Sequence, residues 1–173
     1  MSETPRDRSI LLELFRHHLW ANQSLLEVCA TQPDEVLDSG GEAAYGSPRD
    51  TLVHMLAAEE RYLELLDVPA PEPPLRESNP FPGFDLLRER TARSGAALIE
   101  AAAALDPAAT WTSDWQSQTY TSRKLVALLQ AINHGTEHRE QIKHALTVAG
   151  VEPPEIDGWA YSFTAGLIRP VES

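Results

Sequence analysis

The sequence predicts an all-α fold, a four-helix bundle with a short β-hairpin or extended segment before the last long helix. Three observations carry this. Four segments of about 20 residues or more show apolar residues at helical spacing, proline or glycine breaks separate them, and neither a repeat period nor βαβ alternation is present. At 173 residues the chain is long enough for one hydrophobic core and short for two, so residues 1–173 are expected to form a single domain.

The first helix is expected from Arg8 to about Thr31. Ile10, Leu11, Leu14, Phe15, His18 or Leu19, Asn22, Leu25, Leu26 and Cys29 recur at inward spacing, and Gln32-Pro33 ends the run. Residues 38–46 form a loop. Ser47-Pro48-Arg49-Asp50 then has the chemistry of a helix start: a capping hydroxyl, proline at the first helical position and a carboxylate in the first turn. Leu52, Val53, Leu56, Tyr62, Leu63 and Leu66 carry the second helix to about Asp67. Six prolines between Pro69 and Pro82 exclude a regular element there and leave an extended crossover.

The third helix spans Phe84 to Leu105, with an alanine run at 101–104 that permits a close neighbour, and Asp106-Pro107 stops it. Trp111 to Tyr120 is rich in aromatic and β-favouring residues and suits a hairpin. Thr121 or Ser122 is the expected cap of the fourth helix, which runs to Gly150 as the residue after its C-cap. A short aromatic tail with Trp159, Tyr161 and Phe163 follows.

Bulk composition narrows the function. Net charge is −12 with a pI near 4.8, which opposes binding to nucleic acid and to anionic membrane surfaces. No signal-peptide pattern and no apolar run long enough to span a bilayer is present. The single cysteine, Cys29, cannot form an internal disulfide and sits in an amphipathic pattern as a buried thiol. A cytoplasmic location is expected.

The chemistry concentrates in His134-Gly-Thr-Glu-His138. Residues four apart on a helix share a face, so both imidazoles can reach one ion. With six histidines in the chain, such a pair arises by chance about 0.2 times, and a third ligand has to come from elsewhere. His54 is the candidate, because Leu52, Val53 and Leu56 place it in the second helix's inward stripe and bundle cores are where facing helices build metal sites. Three imidazoles leave a coordination position open, the arrangement of a catalytic divalent ion. Asp50 and Gln141 lie one turn from His54 and His138 and are candidates to orient their rings. Glu137 is a candidate general base through a water, or a solvated carboxylate. His17 and His18 line the same cavity or lie at the surface, and His144 projects from another face.

Other metal motifs fit less well. The H-x-x-E-H order also matches an inverted zincin, but the carboxylates downstream of His138, Glu152, Glu155 and Glu172, fall in a proline-rich stretch or at the terminus. The ordinary zincin needs a glutamate where Gly135 stands. A di-iron carboxylate bundle needs Glu-x-x-His pairs, and the chain has none.

Three segments in order, Leu19-Trp20-Ala21-Asn22, Thr51-Leu52-Val53-His54-Met55-Leu56 and Asn133 to Ile142, followed by Leu146 to Pro154 as Leu-x-x-x-Gly-x-x-Pro-Pro, resemble the DinB/YfiT-like family of four-helix-bundle metalloproteins. By that resemblance its three histidine ligands fall on His54, His134 and His138. The resemblance implies a divalent metal, often zinc or nickel, a small-molecule substrate and frequently a homodimer. Some members are transferases or isomerases that use low-molecular-weight thiols such as bacillithiol or mycothiol, and others are stress-associated proteins. The expected function is a metal-dependent thiol transferase or hydrolase. The alternative is a metal-binding or stress-response bundle without catalysis. Arg139, Arg123 and Arg16 are cations that could attract an anionic thiol, or ordinary surface charges.

Overall fold

The computed structural model describes residues 10–40 and 45–171. The expected helix start at Arg8, the middle of the 38–46 loop and Glu172 lie outside them. The elements are α1 (Ile10–Ala30), the single turn α2 (Asp34–Leu37), α3 (Pro48–Leu65), α4 (Phe84–Ala104), β1 (Thr110–Trp115), β2 (Gln118–Arg123), α5 (Leu125–Val148) and α6 (Gly158–Thr164). The four long helices are those expected.

They pack as a ring in the order α1, α4, α3, α5. Glu27 near the end of α1 pairs with Arg88 near the start of α4, so these two run antiparallel. Lys124 before α5 pairs with Asp67 after α3, which makes that pair antiparallel as well. Two apolar clusters fill the bundle. Leu25, Leu26, Leu52, Leu56, Leu87, Ile142 and Leu146 occupy one end, and Phe15, Leu63, Leu98, Leu128 and Ala131 the other. Early residues of α1 therefore meet early residues of α5, and α3 likewise runs parallel to α4. A parallel pair adjacent in sequence needs a connection that returns the full length of the bundle, about 27 Å for the 18-residue α3. This is why a proline-rich crossover separates α3 from α4.

Helix ends follow the expected chemistry with one exception. Ser47 Oγ accepts from the Asp50 amide at 3.1 Å while the Asp50 carboxylate accepts from the Ser47 amide at 3.3 Å, a reciprocal capping box. Gly150 closes α5 with φ 78°. Its amide and that of Val151 donate to Thr147 and Leu146 carbonyls, the Schellman arrangement. The exception is the start of α5. Thr121 and Ser122 do not cap it, because β2 extends through Arg123 and Lys124 takes the cap position without a side-chain capping bond.

The hairpin is a two-residue connection with Gln116 and Ser117 at φ 48° and 64°, the positive pair a type I′ turn requires. Its strands are mostly exposed. Some expected inward positions face out: Ile10, Leu11 and Leu14 on α1 are exposed, and so is Leu129 on α5 beside the buried Leu128. Of the alanine run only Ala102 is buried. Cys29 is buried, and burial pushes its thiol up to about 12. Tyr161 of α6 is buried against His17 and Trp20, which docks the tail on α1. No helix among the described residues is long and apolar enough to cross a membrane.

Candidate metal centre

Antiparallel packing of α3 on α5 brings His54 opposite the pair at 134 and 138. One ring nitrogen from each of His54, His134 and His138 lies within 4.8 Å of the others, and Nε2 of His54 is 3.0 Å from Nε2 of His134. Zinc–nitrogen bonds of about 2.0–2.1 Å in tetrahedral geometry separate two ligand atoms by roughly 3.3 Å. The histidines therefore fit a divalent ion. His54 is partly buried, its side chain 14% exposed.

The far side of each ring decides which nitrogen is presented. Gln141 Oε1 lies 2.8 Å from Nδ1 of His138, as its position one turn on suggested, and leaves Nε2 to the centre. Asp50 does not serve His54, because its carboxylate is taken by the capping box. The carboxylate at His54 is instead Glu77, from the crossover, with Oε1 3.1 Å from Nδ1. Tyr45 stacks on His54 with ring centroids 3.7 Å apart and donates its hydroxyl to Glu77. Tyr62 meets His134 edge-on at 5.7 Å. Desolvation, aided by the neighbouring His138 and His54, lowers His134 from 6.5 to about 4. Desolvation also lowers His54, against the opposing pull of Glu77. Both groups are thereby kept in the neutral form that a metal binds.

Directly beneath lies a buried polar layer that separates the two apolar clusters. Glu59 of α3 accepts from His18 Nε2 at 2.7 Å and from Ser94 of α4. Arg139 of α5 donates to Asn22 Oδ1 at 2.7 Å and reaches His18 Nδ1 at 3.2 Å. A guanidinium only donates, so Nδ1 of His18 accepts and Nε2–H is left for Glu59. His18 thus belongs to this layer and not to the metal cavity. Its neighbour His17 packs on Tyr161 and bonds the Ile156 carbonyl. Arg139 is 4% exposed and is no surface charge; burial lowers its guanidinium to about 10, well above neutral pH.

The other expected residues sit elsewhere. Arg16 pairs with Glu13, and Arg123 donates to the Pro107 carbonyl on the hairpin side. His144 and Glu137 are exposed. The cation beside the histidines is Arg61, whose Nη2 is 3.6 Å from Glu77 Oε1. Neither Glu77 nor Arg61 stood out in the sequence. One lies in a proline-rich loop, and the other is a polar residue on an outer helix face.

The pattern that defines the DinB family matches residues 1–170. The chain belongs to the DinB family. Its fold is similar to the crystal structure of a DinB-like protein from Bacillus cereus ATCC 10987, at TM-score 0.64 and 19% identity, over 84% of this chain and 94% of that one. No curated protein matches. Family membership and the three-histidine cluster together fit a metal-dependent enzyme.

Within this DinB chain, the residue between the two ligand-spaced histidines has a structural explanation. A Cβ on Gly135 would stand 2.5 Å from Cε1 of His18 and 3.1 Å from Nη1 of Arg139. Replacing glycine by alanine in a helix interior ordinarily gains about 1 kcal/mol. Here His18 is buried and held by partners on two sides, so it cannot yield, and overpacking costs about 1–3 kcal/mol. Gly135→Ala is expected to lower stability in urea titration by up to about 2 kcal/mol net, the overpacking cost less the propensity gain. A variant about 1 kcal/mol more stable than the parent, the full propensity gain, would overturn the close-approach account.

Proposed function

We propose that this protein is a metal-dependent transferase or hydrolase in which His54, His134 and His138 hold one divalent ion, zinc or nickel, with a low-molecular-weight thiol of the bacillithiol or mycothiol type as cosubstrate. The observation that carries the reading is the convergence of three imidazoles from two helices, with His134 lowered to about 4 and so neutral at physiological pH. When bound, such an ion supplies Lewis-acid chemistry, lowering the pKa of a thiol or water nucleophile into the physiological range. The chain's own residues bind and shield. Gln141 holds the His138 ring, Tyr45 covers a face of the His54 ring, and Tyr62 packs edge-on against His134.

A thiol nucleophile has to come from the cosubstrate, because Cys29 is buried with its thiol raised to about 12. Arg61, at the edge of the histidine group, offers a positive charge to a carboxylate of a small anionic thiol, in place of the arginines expected from sequence. The same reading takes the chain as one domain, cytoplasmic and homodimeric, acting on a small molecule. Exposed Leu11, Leu14 and Leu129, which line a groove of about 370 Å³ between α1 and α5, support the dimer.

The test begins with elemental analysis of purified protein, where one equivalent of zinc or nickel is expected. Saturation at 100 times Kd adds about 2.7 kcal/mol of stability, so chelator should lower Tm. Activated electrophiles are then offered with each of several thiols to metal-loaded and chelated protein, and metal-dependent consumption is expected with one thiol class. Protein without stoichiometric metal, whose melting ignores chelator, would sink the proposal. Metal bound without turnover would favour the non-catalytic bundle.

A further inference from the structure

We propose that Glu77 is a positioning residue that, together with Tyr45, fixes the tautomer and orientation of His54 so that Nε2 is presented to the metal. The inference rests on the metal reading above, but its first readout does not require metal.

Glu77 reaches His54 because the crossover between α3 and α4 is pinned where it passes α3. Glu60 and Arg90, both buried, form the anchor: Arg90 Nη1 donates to Glu60 Oε1 at 2.7 Å and Nη2 to the Pro73 carbonyl at 2.6 Å. The Leu75 amide donates to Glu60 Oε2 at 3.1 Å. Two residues on, the Glu77 carboxylate lies between the Tyr45 hydroxyl, which donates to it, and Nδ1 of His54.

That nitrogen is shut off from solvent and has no aligned hydrogen-bond partner among the described residues. Glu77 Oε1 is at bonding distance from it, 3.1 Å, but off axis. A buried polar atom without a partner is costly, and bringing the Glu77 carboxylate onto the Nδ1–H axis removes that cost. Since the two imidazole nitrogens sit on opposite edges of the ring and Nε2 faces His134, Glu77 cannot bind the same ion through that side. It can only hold the far edge.

The choice of a carboxylate has a consequence that an amide lacks. An ionised carboxylate only accepts, so it requires Nδ1–H and leaves the Nε2 lone pair for the ion, whereas an amide can satisfy either tautomer by flipping. His138 has the amide, Gln141, and His54 has the carboxylate. Tyr45, stacked over His54, stops the ring from tilting out of line and tethers Glu77.

The experiment reads ring ¹⁵N shifts of His54 in metal-free protein, then zinc affinity by chelator competition, for the parent and for Glu77→Ala, Glu77→Gln and Tyr45→Phe. Glu64→Ala, which removes a carboxylate from an exposed position on α3, the helix of His54, controls for bulk charge. The parent is expected to hold the Nδ1–H tautomer. Glu77→Ala should mix the tautomers and lower zinc affinity about 10–100-fold, with Glu77→Gln and Tyr45→Phe intermediate. An unchanged tautomer in Glu77→Ala would overturn the proposal, as would an affinity loss no larger than that of Glu64→Ala. If Glu77→Ala fails to fold, Glu77→Gln, which keeps the side-chain volume, decides by the same readouts. If the parent binds no zinc, the metal reading falls, and the tautomer alone decides the role of Glu77.

Discussion

His54→Ala, His134→Ala and His138→Ala are each expected to abolish metal retention through purification, while His144→Ala retains a full equivalent. Each of the three removes one of the three histidine donors from a group whose nitrogens lie within 4.8 Å of one another. Losing an outer hydrogen bond to a ligand costs about 10–100-fold in affinity, and losing the ligand itself should cost more. The comparison is clean because the change in the fold is small. His54 and His134 lie at the α3–α5 seam and are only partly buried, so their variants should keep parental helicity by circular dichroism; His138 is buried, so its variant is compared at matched helicity. The assay belongs at neutral pH or above, where His134, lowered to about 4, carries no proton to compete with the ion. Chelator should lower Tm of the parent and of His144→Ala and leave the three others unmoved. Equal metal content in all four variants would overturn the assignment.

How much of this was legible in the sequence depends on the range of the interaction. Helical periodicity and breaks are local, so the four long helices, the Ser47 start and the Gly150 stop follow from residues that meet within a turn or two. The pair at 134 and 138 is legible for the same reason, and Gln141 with it. The polar layer was not read, although each helix carried a signal. Leu128, Ala131, Gly135, Arg139, Ile142 and Leu146 recur at steps of three and four, which places Arg139 on the inward stripe of α5. Glu59 stands likewise between Leu56 and Leu63, and His18 and Asn22 between Phe15 and Leu25. A charged residue in such a stripe requires a buried partner, but which partner it meets depends on how four helices are arranged in space. Glu77 left still less trace. Its position depends on the parallel placement of α3 and α4 and on the Glu60–Arg90 anchor.

Glu59→Ala and Arg139→Ala are each expected to lower stability by about 3–5 kcal/mol, a large share of the roughly 5–15 kcal/mol that holds a domain folded. Both groups are buried, and each balances the charge that the other would otherwise leave in a low-dielectric interior, through His18 and Asn22. Removing either strands the remaining charge and leaves His18 with one partner. The double substitution Glu59→Ala with Arg139→Ala should cost less than the sum of the singles, with a coupling of about 0.5–3 kcal/mol. Simple additivity in urea titrations would show that the layer is not one unit. Acid provides an independent check. Full desolvation pushes the Glu59 carboxyl up, but His18, Ser94 and Arg139 outweigh it and hold the group below its ordinary 4.5. The unfolded chain therefore takes up that proton first as pH falls. Stability from Glu59 is complete above 4.5 and is lost progressively below it, toward the depressed folded value. Glu59→Gln, uncharged at every pH, lacks this component, so below pH 4.5 the parent should lose stability more steeply than the variant. Parallel acid profiles for the two would mean that the Glu59 carboxyl is not depressed in the native state. Because Arg139 shares α5 with His134 and His138, Arg139→Ala should also weaken metal retention, by loosening the helix that presents two of the three imidazoles.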